Sequence, residues 1–412
     1  MAEAATKSQP VIRDWGLSPR LAALFRKIAL AAGGALALAG CQTVVPRGPV
    51  SPVDRPAPVR PVQAQQPRVD AGIPQDIARQ RVALLVPLTG SNAGVGGSIA
   101  NATQLAVLDT KNERIRITNY DTNTGAAAAA RRAIADGNKL ILGPLLAEDV
   151  RAVAPIARAA GVPLISFSND VGVAGNGTYV MGYTPTESIA RVVNFARSKG
   201  MTSFAGLVPN GLYGERASTA LLRAVESAGG QVVTLQTYDR APGSITAAIT
   251  RMAKNSPYQA VLIADSGATA AVAVPILRRN GAGNAQVLGT DLWNTESAIT
   301  SAPALNGAWF ASVSDNLYRQ YAVKYRARFG NAPYRLSSLG YDAVLLTVRI
   351  MRDWAIGAPF PEERLDDRGG FAGIDGAFRF GRDGVAERAL EVQEIRSGST
   401  ITVSPAPGGF AR

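Results

Sequence analysis

The side chains best placed to recognise a small molecule follow the ends of apolar runs. Ser166, Ser168 and Asn169 lie at the end of one such run, and Asp265 follows another. Hydroxyl and amide groups donate hydrogen bonds to a carboxylate, and a carboxylate accepts them from an ammonium group. The same short polar residues also form turns and caps within loops, so the sequence fits either use of these positions.

The chain lacks many of the residue types that enzymes use for catalysis. The 412-residue chain has no His and one Cys, which excludes His-based triads, the H-E-x-x-H zinc helix, an internal disulfide and an iron–sulfur cluster. The Gly-rich stretch 90–98 lacks the Lys-Ser/Thr ending of a phosphate loop, and Ile99 stands where a dinucleotide-binding loop needs Gly. No nucleophile has a base beside it, and no carboxylate pair has the spacing of a glycosidase. We predict a non-catalytic protein with no metal and no cofactor.

The charge of the chain is unevenly divided. Of the net charge of +12, residues 1–40 carry +3 and residues 41–80 carry +2, which leaves +7 on residues 81–412 with both signs interspersed. There is no block of like charges and no interleaving of aromatic with basic residues. We therefore predict no nucleic-acid partner.

The single Cys follows a segment typical of a targeting signal. Basic residues precede an uncharged apolar run, 28–38, and Ala39 and Gly40 then lead to Cys41. This arrangement resembles the lipobox of bacterial lipoproteins, so residues 1–40 are predicted to be a lipoprotein signal peptide and Cys41 the lipidated residue. As an uncleaved anchor the run would span roughly 20 Å, short of the ~30 Å hydrocarbon core. An ordinary secretory signal with a chance Cys is a further alternative.

A Pro-rich segment follows the signal. Seven of residues 46–67 are Pro, and such chains are extended, at about 3.1 Å per residue. Residues 41–80 are predicted to be a tether, although a plain disordered spacer fits equally, and residues 404–412 a tail. Gln42, where Asp would resemble an inner-membrane retention signal, favours lipid anchoring to the inner leaflet of the outer membrane, facing the periplasm.

From residue 81 the pattern alternates buried strands with amphipathic helices. Strands alternating with helices imply parallel sheets joined by right-handed crossovers. Two such series predict an α/β fold of two doubly wound parallel-sheet lobes, with a ligand cleft outside the carboxyl ends of the strands. The predicted strands are 81–88, 115–120, 139–142 and 162–166 in the first series, and 204–208, 232–238, 260–264 and 287–289 in the second.

The last hundred residues break this alternation. Residues 317–329 carry an aromatic stripe and residues 339–354 are apolar on most of their circumference, so both are predicted helices. Residues 376–395 are predicted to form a hairpin that turns at Asp383 and Gly384.

The order of these signals resembles the type I periplasmic-binding-protein family in its leucine-binding form, over residues 81–403. The resemblance implies lobe 1 at about 81–186 plus 317–356 and lobe 2 at about 187–311 plus 371–403. It also implies crossovers near 183–187, 312–316 and 357–371. The matching strings are Val-Ala-Leu-Leu-Val-Pro-Leu-Thr-Gly90, Leu-Ile-Leu-Gly-Pro-Leu145, Gly-Val-Pro-Leu-Ile-Ser166, Tyr-Gly-Glu215, Tyr-Arg-Ala-Arg-Phe-Gly330, Gly-Tyr-Asp-Ala343 and Gly-Ile-Asp-Gly376.

The resemblance also implies ligand-binding positions. Tyr213 matches the residue that closes over a ligand, and Asp291 matches the one that pairs with its ammonium group. Asp265 is a further candidate at a strand end. The turn that supplies Ser or Thr to a ligand carboxylate in the family's transporters instead precedes Glu148 and Asp149, which repel an anion at that helix terminus.

Two functions remain open. Within the family the opening motif, the lipobox and the tether resemble lipoprotein activators of penicillin-binding proteins, which implies a bifunctional peptidoglycan synthase as partner. The alternative is the solute-binding component of an ABC importer, with an ABC permease and a branched-chain-type amino acid or other small polar ligand as partners. Either protein would contact the membrane through a lipid on Cys41.

Overall fold

The computed structural model describes residues 78–410, with residues 256 and 296 left out. These residues fall in one compact unit, 70–412. The predicted signal peptide, Cys41 and nearly all of the predicted tether lie outside the described residues. Among the described residues, no helix combines the length and the apolar character that crossing a bilayer requires.

The first sheet contains five parallel strands in the order β2-β1-β3-β4-β5. Its central strands are apolar and buried on both faces, as expected where helices cover a parallel sheet. We call this sheet, with the elements that share its core, lobe 1. Its strands are Gln80–Val86 (β1), Ile115–Asp121 (β2), Leu140–Leu142 (β3), Leu164–Ser166 (β4) and Thr178–Val180 (β5).

The second sheet contains seven strands in the order β15-β14-β10-β9-β8-β6-β7 and, with the elements packed on it, forms lobe 2. Five of its strands are parallel, whereas β14 and β15 add an antiparallel edge. The α/β architecture with two parallel sheets is thus confirmed. The strands are Ser203–Pro209 (β6), Gln231–Tyr238 (β7), Ala260–Ile263 (β8), Gln286–Gly289 (β9), Trp309–Ser312 (β10), Glu391–Arg396 (β14) and Ser399–Ser404 (β15).

Nine α-helices occur among the described residues. Helices α1 and α9 pack tightly in lobe 1, because Gly340 of α9 lets the two backbones approach. The helices are Ala93–Thr110 (α1), Ala126–Ala135 (α2), Ala147–Ala159 (α3), Pro185–Ser198 (α4), Leu212–Ser227 (α5), Ser244–Ala253 (α6), Gly267–Arg279 (α7), Asn316–Phe329 (α8) and Ser337–Ile350 (α9).

A small antiparallel sheet corrects one detail of the sequence analysis. Strands Phe371–Gly373 (β11), Gly376–Phe380 (β12) and Ala386–Arg388 (β13) form this sheet. Its Phe371, Phe378 and Phe380 belong to the lobe 1 core, although residues 371–403 were expected in lobe 2. The aromatic face of this sheet is buried on lobe 1 and holds it there.

The predicted hairpin is correspondingly only half right. Strand β12 pairs with β13 around Asp383 and Gly384, as expected, but β14 leaves to join the second sheet. The chain therefore makes its third crossing at Ala389 and Leu390. Residues 357–371, where this crossing was expected, stay with lobe 1, since Phe360 and Leu365 lie in its core.

Candidate functional site

A cavity of about 410 Å³ lies between the two lobes. Residues that follow the carboxyl ends of β3, β4 and β9 line it, which is where ligands bind in open α/β sheets. Both lobes contribute apolar and polar side chains. The lining consists of Asn92, Val95, Leu145, Leu146, Phe167, Asn169, Tyr183, Thr184, Glu187, Ser188, Asp291, Leu292, Asn294, Ser312, Val313, Arg335, Leu336, Arg388 and Leu390.

The three segments that cross between the lobes form one side of the cavity, which we call the hinge wall. It consists of residues 183–184, 312–313 and 388–390. Arg335 lies against this wall, since its Nη1 donates to the Tyr183 hydroxyl oxygen at 3.2 Å.

Two carboxyl groups lie at the start of helix α4 and after strand β9. The Ser188 hydroxyl donates to Asp291 Oδ1 at 2.8 Å. Burial nevertheless raises the pKa of Asp291 to about 6. Burial also raises the pKa of Glu187 to about 8, although Glu187 Oε1 accepts the backbone N–H of Arg388 at 2.5 Å. A ligand ammonium group would lower both pKa values by stabilising the ionised carboxylates.

A buried ion pair supports the hinge wall. Arg335 Nη1 lies 2.7 Å from Asp375 Oδ1, and both side chains are almost fully buried. The Tyr183 hydroxyl donates to Asp375 and contacts the Ser338 hydroxyl at 2.8 Å. Burial acts to raise the pKa of Asp375, but Arg335 and Arg388 outweigh it and hold that pKa below its usual range.

The pKa of Asp342, in the same cluster, is shifted in the opposite direction to that of Asp375. Its Oδ1 accepts the backbone N–H of Ile374 at 2.7 Å. Burial, reinforced by the negative charge of Asp375, raises the pKa of Asp342. Asp342 thus ties helix α9 to the β11–β12 turn mainly as a hydrogen-bonding group.

Arg388 brings a second guanidinium to the hinge wall. Its Nη2 donates to the Met181 carbonyl oxygen at 2.6 Å. Its guanidinium carbon lies 5.0 Å from the centre of the Tyr183 ring and 5.3 Å from that of Phe378. Its Nε and Nη1 have no hydrogen-bond acceptor among the described residues.

The structure brings two of the six predicted ligand-binding residues to the cavity, Asn169 and Asp291. Ser166 and Ser168 instead form hydrogen bonds with the backbone of their own turn and of the turn between β3 and α3. Ser166 Oγ donates to the Pro144 carbonyl oxygen at 3.0 Å and accepts the Ser168 backbone N–H at 3.0 Å. Ser168 Oγ accepts the Asp170 backbone N–H at 3.1 Å.

Tyr213 and Asp265 belong to lobe 2 and are not among the residues that line the cavity. The Tyr213 hydroxyl contacts the Thr290 hydroxyl at 3.1 Å, and burial raises the pKa of Tyr213. Asp265 accepts a hydrogen bond from Tyr238 and the backbone N–H of Ser266 at 2.6 Å. Their contact with a ligand stays a prediction.

The turn before helix α3 presents Leu145 and Leu146 to the cavity, and Glu148 and Asp149 occupy the first turn of the helix. Burial raises the pKa of Asp149. This end of the cavity therefore offers an apolar surface beside acidic residues.

Sequence reasoning missed the charged residues of the hinge wall and of the α4 N-terminus. Glu187, Arg335 and Arg388 come from three distant segments, so no local spacing joins them. One usable signal was Arg388, which opens a predicted strand and is followed by the apolar Ala389 and Leu390. A second was Glu187, two residues after the Pro that begins α4.

Two doubly wound lobes joined by three crossings, with a ligand-sized cavity between them, define a type I two-lobed binding protein. The chain belongs to the periplasmic binding protein family, whose model matches residues 79–400.

Solved structures share this fold. A leucine-binding protein from Thermotoga maritima MSB8 is 20% identical, with a TM-score of 0.60 over 79% of this chain and 98% of that one. A putative branched-chain amino acid ABC transporter from Rhodospirillum rubrum is 21% identical, with a TM-score of 0.69 over 79% and 100%. A branched-chain amino acid transporter substrate-binding protein from Streptococcus pneumoniae, in complex with isoleucine, is 19% identical, with a TM-score of 0.58 over 79% and 100%.

Among curated proteins, the chain is similar to an uncharacterized protein of Rickettsia prowazekii (strain Madrid E). The two are 24% identical over 177 residues, or 42% of this chain. The chain spans about half the length of this relative, namely 47%.

Proposed function

We propose that this protein is a solute-binding protein that holds a small molecule between its lobes without transforming it. The observation that carries the proposal is the interlobe cavity, which combines about 410 Å³ of space with a half-buried Asp291. Ligand pockets are typically 300–1,000 Å³ and mostly apolar, with a few placed polar groups. Family membership supports a binding role.

An amino acid of the branched-chain type fits the composition of the cavity. Asp291 would take the ammonium group, with Glu187 beside it. Apolar side chains from both lobes would surround the aliphatic part of the ligand, namely Val95, Leu145, Leu146, Phe167, Leu292, Val313, Leu336 and Leu390. The protein would then pass this ligand to an ABC permease.

A thermal-shift screen against amino acids and related small polar molecules tests this proposal. A ligand at 100 times its dissociation constant stabilises the folded protein by about 2.7 kcal/mol. We expect a rise in melting temperature for an aliphatic amino acid, and its loss in Asp291→Asn. A flat response to the whole panel would contradict solute binding.

A second candidate is activation of a penicillin-binding protein from the outer membrane. The observation that favours it is the lipobox at Cys41 followed by a Pro-rich tether, since a lipid-anchored domain on a tether could reach a periplasmic synthase. A pull-down with a purified bifunctional peptidoglycan synthase and a glycan-polymerisation assay tests it. The absence of both binding and stimulation would exclude this candidate.

A further inference from the structure

We propose that strand β15 is a docking edge for a second copy of this chain. Two copies would pair their β15 strands antiparallel about a two-fold axis at Ile401, so that the two seven-stranded sheets become continuous. The residues involved do not line the cavity between the lobes, and the proposal does not depend on solute binding.

The outer side of β15 presents backbone groups that the described part of the chain does not pair. Ile395 of β14 uses both of its backbone groups on the opposite side, since its N–H donates to the Ala308 carbonyl oxygen at 2.9 Å and its carbonyl oxygen accepts the Gly307 N–H at 2.8 Å. Thr400 lies opposite Ile395 in the ladder, so its N–H and carbonyl point outward. Backbone groups alternate in direction along a strand, and those of Thr402 therefore point outward too. Among the described residues, none bonds to these outward groups.

The other outer strands of the two parallel sheets are closed in ways that β15 is not. Strand β2 carries Arg116, and on β7 the Thr237 carbonyl oxygen accepts Arg251 Nη2 at 3.2 Å. Strand β5 has only three residues, and its Val180 N–H donates to the Gly384 carbonyl oxygen at 2.8 Å. Short edges, charged side chains and covered backbone groups all discourage pairing with another chain. Strand β15, Ser-Thr-Ile-Thr-Val-Ser, has six residues with no charge, Gly or Pro.

The outward groups of β15 are self-complementary, which favours a second copy as the partner. Thr400 and Thr402 flank Ile401 on either side. A two-fold axis at Ile401 places Thr400 of each copy opposite Thr402 of the other, and each such pair would exchange two N–H···O bonds. The same stretch of chain thus supplies both the donors and the acceptors that it needs.

The same axis would cover an exposed apolar side chain. Ile401 is 43% exposed, and the axis places the two Ile401 side chains directly opposite each other, in the closer type of antiparallel pair. Two charged residues of β14, Glu394 and Arg396, lie opposite β15 in the ladder. They pair with each other, with Arg396 Nη2 2.6 Å from Glu394 Oε1, so their charges offset each other at this edge.

Sedimentation equilibrium of residues 70–412, which form one compact unit, tests for this dimer. Paired edges bury less area than permanent interfaces, so we expect a reversible dimer whose fraction rises with protein concentration. Ile401→Lys places like charges directly opposite each other and should raise the dissociation constant of the dimer at least about fivefold. Leu222→Lys is the matched control, because Leu222 is 48% exposed on α5, which packs at the β6–β7 edge of the sheet. It should leave the dissociation constant unchanged.

A single introduced Cys tests the register of the pairing, because residues 70–412 contain none. Ile401→Cys would bring two thiols opposite each other with Cβ atoms about 4.5–5.5 Å apart, close to disulfide geometry. Ser399→Cys, on the same face of β15, is the control, since it would lie opposite Val403 and about 13 Å from its counterpart. On oxidation we expect a covalent dimer of Ile401→Cys and a monomer of Ser399→Cys. This pair also carries the test if Ile401→Lys does not fold.

Four results would overturn the proposal. Wild-type protein that stays monomeric at every concentration would do so directly. A dimer that Ile401→Lys leaves as tight as the wild type would place the contact elsewhere on the surface. Equal cross-linking of the two Cys variants would contradict the register. Open-ended assemblies larger than a dimer would contradict the two-fold pairing, because such a contact closes on itself.

Discussion

At the scale of single residues, burial decides the charge that a ligand meets in the cavity. Asp291 and Glu187 both have raised pKa values, of about 6 and about 8, because they are removed from water. At neutral pH Asp291 is mostly ionised and Glu187 mostly protonated. Arg388 remains positive in the same wall. The cavity thus carries opposite charges at different places rather than one net sign, which suits a zwitterion.

Glu187 should make stability depend on pH. Its ordinary pKa is 4.5 and its pKa in the folded protein is about 8, so the folded state holds a proton that the unfolded state releases between these values. Stability therefore falls as the pH rises from about 4.5 to 8. We expect the melting temperature of ligand-free protein to fall less steeply over this range in Glu187→Gln. An unchanged slope would contradict the raised pKa.

The Arg335–Asp375 pair should be sensitive to the loss of one partner. Arg335→Met leaves the charge of Asp375 buried without its cation, and such a change costs about 3–5 kcal/mol. The double variant Arg335→Met with Asp375→Asn should recover much of this loss, because the buried charge of Asp375 is removed together with that of Arg335. Urea denaturation of the three proteins measures both effects. If Arg335→Met and the double variant were equally stable, the loss of stability would not come from the broken ion pair.

At the scale of elements, the close contact of α1 with α9 holds the lobe 1 side of the cavity in place. Helix α1 contributes Val95 to the cavity, and Leu336 and Arg335 directly precede α9. An error in the spacing of these helices would therefore move cavity residues. The contact depends on Gly340, which has no side chain.

Gly340→Ala tests this contact. A Cβ at Gly340 would lie 2.9 Å from the Ile99 carbonyl oxygen and 2.9 Å from its Cγ2, and overpacking of this kind costs about 1–3 kcal/mol. Gly97→Ala, in α1, is the control: a Cβ there meets nothing within 4 Å and should stabilise the helix by about 0.5–1 kcal/mol. Chemical denaturation should give opposite signs for the two variants. Destabilisation by both would refute the packing explanation.

At the scale of the whole molecule, a direct contact between charged side chains joins the two lobes. Arg216 of α5 in lobe 2 lies 3.3 Å from Asp170 of lobe 1, between Nη2 and Oδ1. Asp170 is buried and also pairs with Arg151 of its own lobe. Since Arg216 is 44% exposed, salt screens this pair and its contribution to stability is small.

Arg216→Gln should shift the lobes towards separation with little effect on stability. We expect the radius of gyration of ligand-free protein, measured by small-angle X-ray scattering at low salt, to increase slightly, and the difference from wild type to vanish at high salt. Arg223→Gln, an exposed change on the same helix, is the control. A difference that persists at high salt would exclude the ion pair as its cause.

The sequence by itself determined the α/β class and the two parallel sheets. These follow from local periodicity, because a buried strand and an amphipathic helix each have a hydrophobic pattern that is visible within a short stretch of sequence. The residues that it singled out as ligand contacts include Asn169 of lobe 1 and Asp291 of lobe 2, which lie in the cavity wall, and their contact with a ligand stays a prediction.

The tertiary structure alone decided which remaining residues form the cavity. Ser166 and Ser168 form hydrogen bonds with nearby backbone groups, whereas Glu187, Arg335 and Arg388 line one cavity although about 200 residues of sequence separate the first from the last. It also decided that β11–β13 pack on lobe 1. Contacts between distant segments depend on how the lobes and crossings pack, and no local spacing records that arrangement.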